Sequence, residues 1–99
     1  MNTINRIKPI GNPDDIRAIE DGIACRYYFD NGYGASVIQH RYSYGGPQGL
    51  WELAVLARNS QGKYNLCYET PITDDVIGYL TAEEVEALLE QIAELPSCL

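Results

Sequence analysis

The stretch IACRYYFDNGYGASVIQHRY, Ile23 to Tyr42, decides the fold class. Its first seven residues alternate, so Ile23, Cys25, Tyr27 and Phe29 share one face of a strand. Asp30, Asn31 and Gly32 interrupt the pattern. Asn-Gly is the pair that tight hairpin turns favour, because both central residues take positive φ there. Tyr33 to Tyr42 then carries the chain back. Two half-apolar runs on either side of such a turn read as an antiparallel hairpin.

A second hairpin follows. Leu50 to Arg58, LWELAVLAR, sets Trp51, Leu53, Val55 and Ala57 on one face and Leu50, Ala54 and Leu56 on the other. Apolar residues on both faces imply that both are partly covered. Asn59 to Gly62, NSQG, is a turn cluster, and Lys63 to Thr70 alternates again behind it. Upstream, Asn12 to Gly22 admits two readings. One is a short helix capped by Asn12 and opened by Pro13. The other, preferred, is an edge strand through Ile16 to Glu20, joined to Ile23 by an Asp21-Gly22 turn. Thr70 to Leu80, TPITDDVIGYL, reads as a loop holding one helical turn.

The segment TAEEVEALLEQIAELP, Thr81 to Pro96, is an amphipathic helix. Thr81 and Glu84 form a capping box, and Glu83 and Glu84 fall where the helix dipole favours negative charge. Val85, Leu88, Leu89, Ile92 and Leu95 make one apolar stripe, and Pro96 ends it. The stripe needs a surface to cover, and the sheet supplies one. The expectation is an α+β fold over residues 1–99 as a single domain: an antiparallel four- to five-stranded meander sheet with a C-terminal helix on one face.

Charge divides the chain. Residues 1–63 hold all seven basic side chains and six acidic ones, net +1, whereas residues 64–99 hold eight acidic and no basic side chain, net −8, which gives −7 in all. That balance argues against direct nucleic-acid binding through phosphates, which needs clustered Lys or Arg. It argues equally against an anionic membrane surface. A partner with a basic surface is favoured instead. There is no apolar run of membrane-spanning length, and the N-terminus lacks a signal-peptide layout, so the expected location is the cytoplasm. Three cysteines, an odd number, do not read as a disulfide framework. Cys25 and Cys67 lie in apolar stretches, and Cys98 is expected to be exposed.

Candidate chemistry is thin. His40 is the sole histidine, and a Cys25–His40 pair would need an accessible thiol, whereas strand alternation turns Cys25 inward. Cysteine, histidine and aspartate spacings match no metal pattern, so no metal and no cofactor is expected. The half-motif NGYGAS falls between strands rather than before a helix, where a phosphate site would need it. Two surfaces stand out. Arg41, Tyr42, Tyr44 and Gln48 form an aromatic-polar stretch of the kind enriched at binding hot spots. Glu83, Glu86, Glu90 and Glu94 lie off the apolar stripe with no lysine between them, a repulsion that stability alone does not favour.

The phrasing FDNGYGASVIQH, GLWELAVLA and TPITDDVIGYLTAEEV, spanning about Phe29 to Val85, resembles small uncharacterised phage and prophage proteins. That resemblance implies an accessory protein that disables a host enzyme or defence complex, and it carries over no functional residues. The expected function is therefore a small acidic, non-enzymatic protein-binding module. It would be phage-encoded and would inhibit or modulate a host defence or nucleic-acid-handling protein by surface occlusion. Two alternatives belong to other classes: a small-molecule or nucleotide binder or enzyme built on His40, Arg41 and nearby tyrosines, and a structural or virion-associated protein that self-associates through a sheet edge.

Overall fold

Strand alternation and one amphipathic stripe build the fold. The computed structural model describes residues 7–98. Its elements run β1 Asp15–Ile19, β2 Gly22–Tyr28, β3 Tyr33–Gln39, β4 Trp51–Arg58, β5 Tyr64–Leu66, β6 Ile77–Leu80 and α1 Ala82–Ala93. All strand pairs are antiparallel, in the order β1-β2-β3-β4-β5, with β6 also pairing with β4. The α+β class and the meander stand, and β1 is a strand rather than a helix.

Register fixes the core. Cys25 lies opposite Val37 and Val37 opposite Leu53, while Tyr27 lies opposite Ala35 and Ala35 opposite Val55. These inward side chains are buried, and α1 closes over them. Val85 and Ile92 are the fully buried contacts of the helix, with Leu88, Leu89 and Leu95 packed beside them. Each fully buried aliphatic side chain stabilises by about 1.5–3 kcal/mol. At the helix start Thr81 Oγ1 accepts from Glu84 N, and Glu84 Oε1 accepts from Thr81 N, completing the expected capping box.

Three local expectations fail. Thr70 to Leu80 contains no helical turn. Its second half is β6, which pairs Ile77 with Leu53 and Leu80 with Trp51, so cross-strand apolar pairing outweighs the Asp74-Asp75 break. The strand expected over Lys63 to Thr70 shrinks to Tyr64–Leu66, because β4 gives its other half to β6. The β1–β2 turn is Glu20-Asp21 rather than Asp21-Gly22, since Ile19 pairs with Gly22. Glu20 takes φ 52 there, and the Asp21 carboxylate is tied up by accepting from Arg41 N at 2.9 Å.

The Asn-Gly turn also departs from its expected form. Gly32 alone has positive φ (88°), Gly32 N donates to Phe29 O at 3.2 Å, and Phe29 N donates to Tyr33 O at 2.9 Å. This is the three-residue loop in which a tight turn is followed by a left-handed glycine. Asn31 is thereby free for another task. Its Nδ2 donates to the carbonyls of Ile92, Ala93 and Leu95 at 2.9, 3.3 and 3.0 Å. Ile92 and Ala93 close α1 and Leu95 follows its cap, so the amide meets carbonyls where the helix runs out of its own donors.

Candidate docking surface

The β3–β4 connection is a built loop, not a loose link. Ser43 Oγ accepts from His40 N at 3.0 Å and donates to His40 O at 2.9 Å, which closes a tight turn. A short 3₁₀ helix, Gly46–Gln48, follows with Pro47 inside it. Gly45 has φ 87, and a Cβ there would lie 2.8 Å from Tyr79 Cα. At Gly78 a Cβ would lie 2.3 Å from Tyr44 Cβ. Two glycines thus let the loop and β6 press together, and Tyr79 N donates to Tyr44 O at 3.1 Å across the contact.

Aromatic side chains on and beside this contact lie exposed. Tyr42, Tyr44 and Tyr79 are 71%, 58% and 61% exposed. Tyr79 has φ 58 at an irregularity in the β6–β4 register, a conformation costing about 1–3 kcal/mol for a non-glycine residue. Arg41 sits between two partners. Its guanidinium carbon is 5.5 Å from the Tyr42 ring centroid, and its Nε is 3.8 Å from Asp21 Oδ1. His40 Nδ1 accepts from Tyr42 N at 3.1 Å, and the two rings meet edge to face.

The expected residues fall as follows. Arg41, Tyr42 and Tyr44 are exposed on one loop. Gln48 is also exposed, on the 3₁₀ turn, but its side chain makes no hydrogen bond or ring contact with the tyrosines. Glu83, Glu86, Glu90 and Glu94 are all exposed along α1. Among the described residues the ion pairs are Arg17–Asp15 and Arg41–Asp21, and neither involves a helix glutamate. Tyr79 went unread as a surface residue, because the helical-turn reading hid it. The Gly78-Tyr79 pair inside an apolar run was the available signal, since a glycine in a strand marks an irregularity or close backbone approach. Tyr79 stands two residues before the N-cap of α1, so the aromatic patch leads along the chain into the acidic ridge.

A Cys25–His40 couple is not assembled. Cys25 is sealed in the core opposite Val37, three residues before His40. Burial first, then the nearby Asp15 charge, pushes its thiol up from the ordinary range, away from a reactive thiolate. Burial also raises the Tyr27 phenol, followed by Cys25, against the lowering effect of its hydrogen bond to the Ile10 carbonyl. Cys98 is exposed and Cys67 half-buried. Among the described residues no group of three metal-ligating side chains comes together, and no helix is long and apolar enough to cross a membrane. No family model matches the chain, and no curated protein or solved structure matches it.

Proposed function

We propose that the protein is a binding module that occupies a basic surface on a partner protein, with its aromatic loop and acidic helix as one continuous contact. The observation that carries this reading is the helix ridge: Glu83, Glu86, Glu90 and Glu94 are exposed, and among the described residues no cation pairs with them. Like charges three and four residues apart cost a few tenths of a kcal/mol per pair. Repulsion kept on an exposed face is relieved when a basic partner arrives. Upstream of it in the chain, Tyr42, Tyr44 and Tyr79 supply large contact area at low entropic cost, and Arg41 is held ready against Tyr42. Inhibition or modulation of a host defence or nucleic-acid-handling protein by occlusion, in a phage setting and in the host cytoplasm, is the biological form of the proposal.

The test is recovery of a partner from host lysate, its identification by mass spectrometry, and titration against variants. Tyr42→Ala with Tyr44→Ala should weaken a verified complex by about 30-fold or more, the range of hot-spot truncation. Glu86→Lys with Glu90→Lys should slow association and flatten its salt dependence. Full affinity in both variants removes the assignment.

A second reading has one observation in its favour. Asp21, Gln39, His40 and Arg41 line an open depression of about 380 Å³ beside the loop. A small anionic or nucleotide-like ligand there would perturb the His40 ring signals in NMR titration and leave Tyr44 and Tyr79 untouched.

A further inference from the structure

We infer that β1 pairs with β1 of a second copy, across a two-fold axis at Ile16, to make one continuous sheet. This is separate from the proposed partner surface, since the β1 residues it uses, Asp15 to Ala18, are not among the residues of that surface.

The two sheet edges differ. One is broken into β5, Tyr64–Leu66, and β6, Ile77–Leu80, with an irregularity between β6 and β4. The other is β1, Asp15–Ile19, a five-residue strand whose only strand partner among the described residues is β2. No backbone hydrogen bond from another described segment reaches its outer side. Such an edge is a template for a further strand.

The outward groups follow from the turn. A two-residue loop makes Ile19 and Gly22 a hydrogen-bonded pair, and antiparallel ladders alternate. Asp15 and Arg17 therefore also direct their N–H and C=O at β2. Ile16 and Ala18 direct theirs to the open side. A copy must pair through those two residues, which leaves three two-fold registers.

Charge selects among them. Asp15 and Arg17 lie on the same sheet face, 3.3 Å apart, with side chains 43% and 74% exposed. Centring the axis on Arg17 sets Arg17 opposite Arg17 of the second copy, a like-charge pair that destabilises. Centring it on Ala18 leaves Asp15 without a cation from the copy. Centring it on Ile16 sets Asp15 opposite Arg17 of the second copy and Arg17 opposite its Asp15, closing a four-charge ring. The same register puts Ile16, which is 51% exposed, against its own copy on the other face. Lysine or glutamate pairs on an edge repel a second copy, but an Asp-x-Arg edge complements itself. The contact is isologous and closes at two subunits.

The test is sedimentation equilibrium of the full chain up to about 1 mM, the upper end of weak specific association. Wild type should form a dimer and no larger species. Asp15→Arg alone and Arg17→Asp alone should each weaken dimerisation at least about 10-fold, because each sets like charges face to face. Mixing the two single variants should restore association as a heterodimer, since one then offers two cations and the other two anions. The doubly reversed chain should dimerise like wild type. Ala18→Pro, which removes an outward N–H and spares the β2 ladder, should also weaken it. Monomer at every concentration overturns the inference, as does a dimer indifferent to the single reversals or a mixture that stays monomeric.

Discussion

Two hairpin turns in this molecule share one backbone and differ in what their asparagines do. At Phe29–Tyr33 and at Asn59–Lys63 the first residue donates N–H to the fifth residue's carbonyl and accepts from a left-handed glycine, Gly32 with φ 88 and Gly62 with φ 81. In the second turn Asn59 works locally: its Oδ1 accepts from Gln61 N at 2.9 Å and from Lys63 N at 3.0 Å. In the first, Asn31 also accepts from Tyr33 N at 3.0 Å, but its amide nitrogen reaches the far end of α1. Gly32 O accepts from Arg58 N at 2.8 Å and Asn31 O from Cys98 N at 2.9 Å, so the first turn gathers β4 and the segment after the helix as well. One turn only reverses the chain. The other joins sheet to helix.

Substitutions break or sharpen that contrast. Asn31→Ala should have the largest effect, about 2–3 kcal/mol of lost stability, since carbonyls at the helix end lose a donor as well as the turn its acceptor. A shift of the urea midpoint at constant slope measures it. Asn59→Ala should cost about 1 kcal/mol, the value of local side-chain acceptors. If the two losses agree within about 0.5 kcal/mol, the helix bond carries nothing and the turns are equivalent. Glu94→Lys should stabilise by about 0.3–0.5 kcal/mol, because Glu94 caps a helix end where the dipole favours a cation and faces Glu90 one turn back. A thermal melt detects it, and the gain should come with weaker binding of a basic partner. Gln61→Ala, at the position matching Asn31, should stay within about 0.5 kcal/mol of wild type.

Much of the sheet and all of the helix were legible, because both rest on patterns with a period. Alternation places Cys25 and Tyr27 inward, and the spacing from Val85 to Leu95 places the helix stripe. What escaped depends on distance through space. Nothing in TPITDDVIGYL announces that Ile77 and Leu80 will find Leu53 and Trp51, and two aspartates argue the other way. Asn31 read as turn chemistry, since its helix partners lie more than sixty residues on. The exposed loop tyrosines and helix glutamates were legible as surface. Tyr79 was not, because it sits at a glycine-mediated contact between two segments with no common motif.

The Asn31 amide also sets an order of events. Its acceptors belong to a helix made long after the first hairpin, so during synthesis β2 and β3 emerge with that amide facing water alone. The inner sheet face is likewise bare until α1 arrives. Local pairing comes early and the fastening comes late, which leaves the emerging sheet as the species for chaperones to shelter.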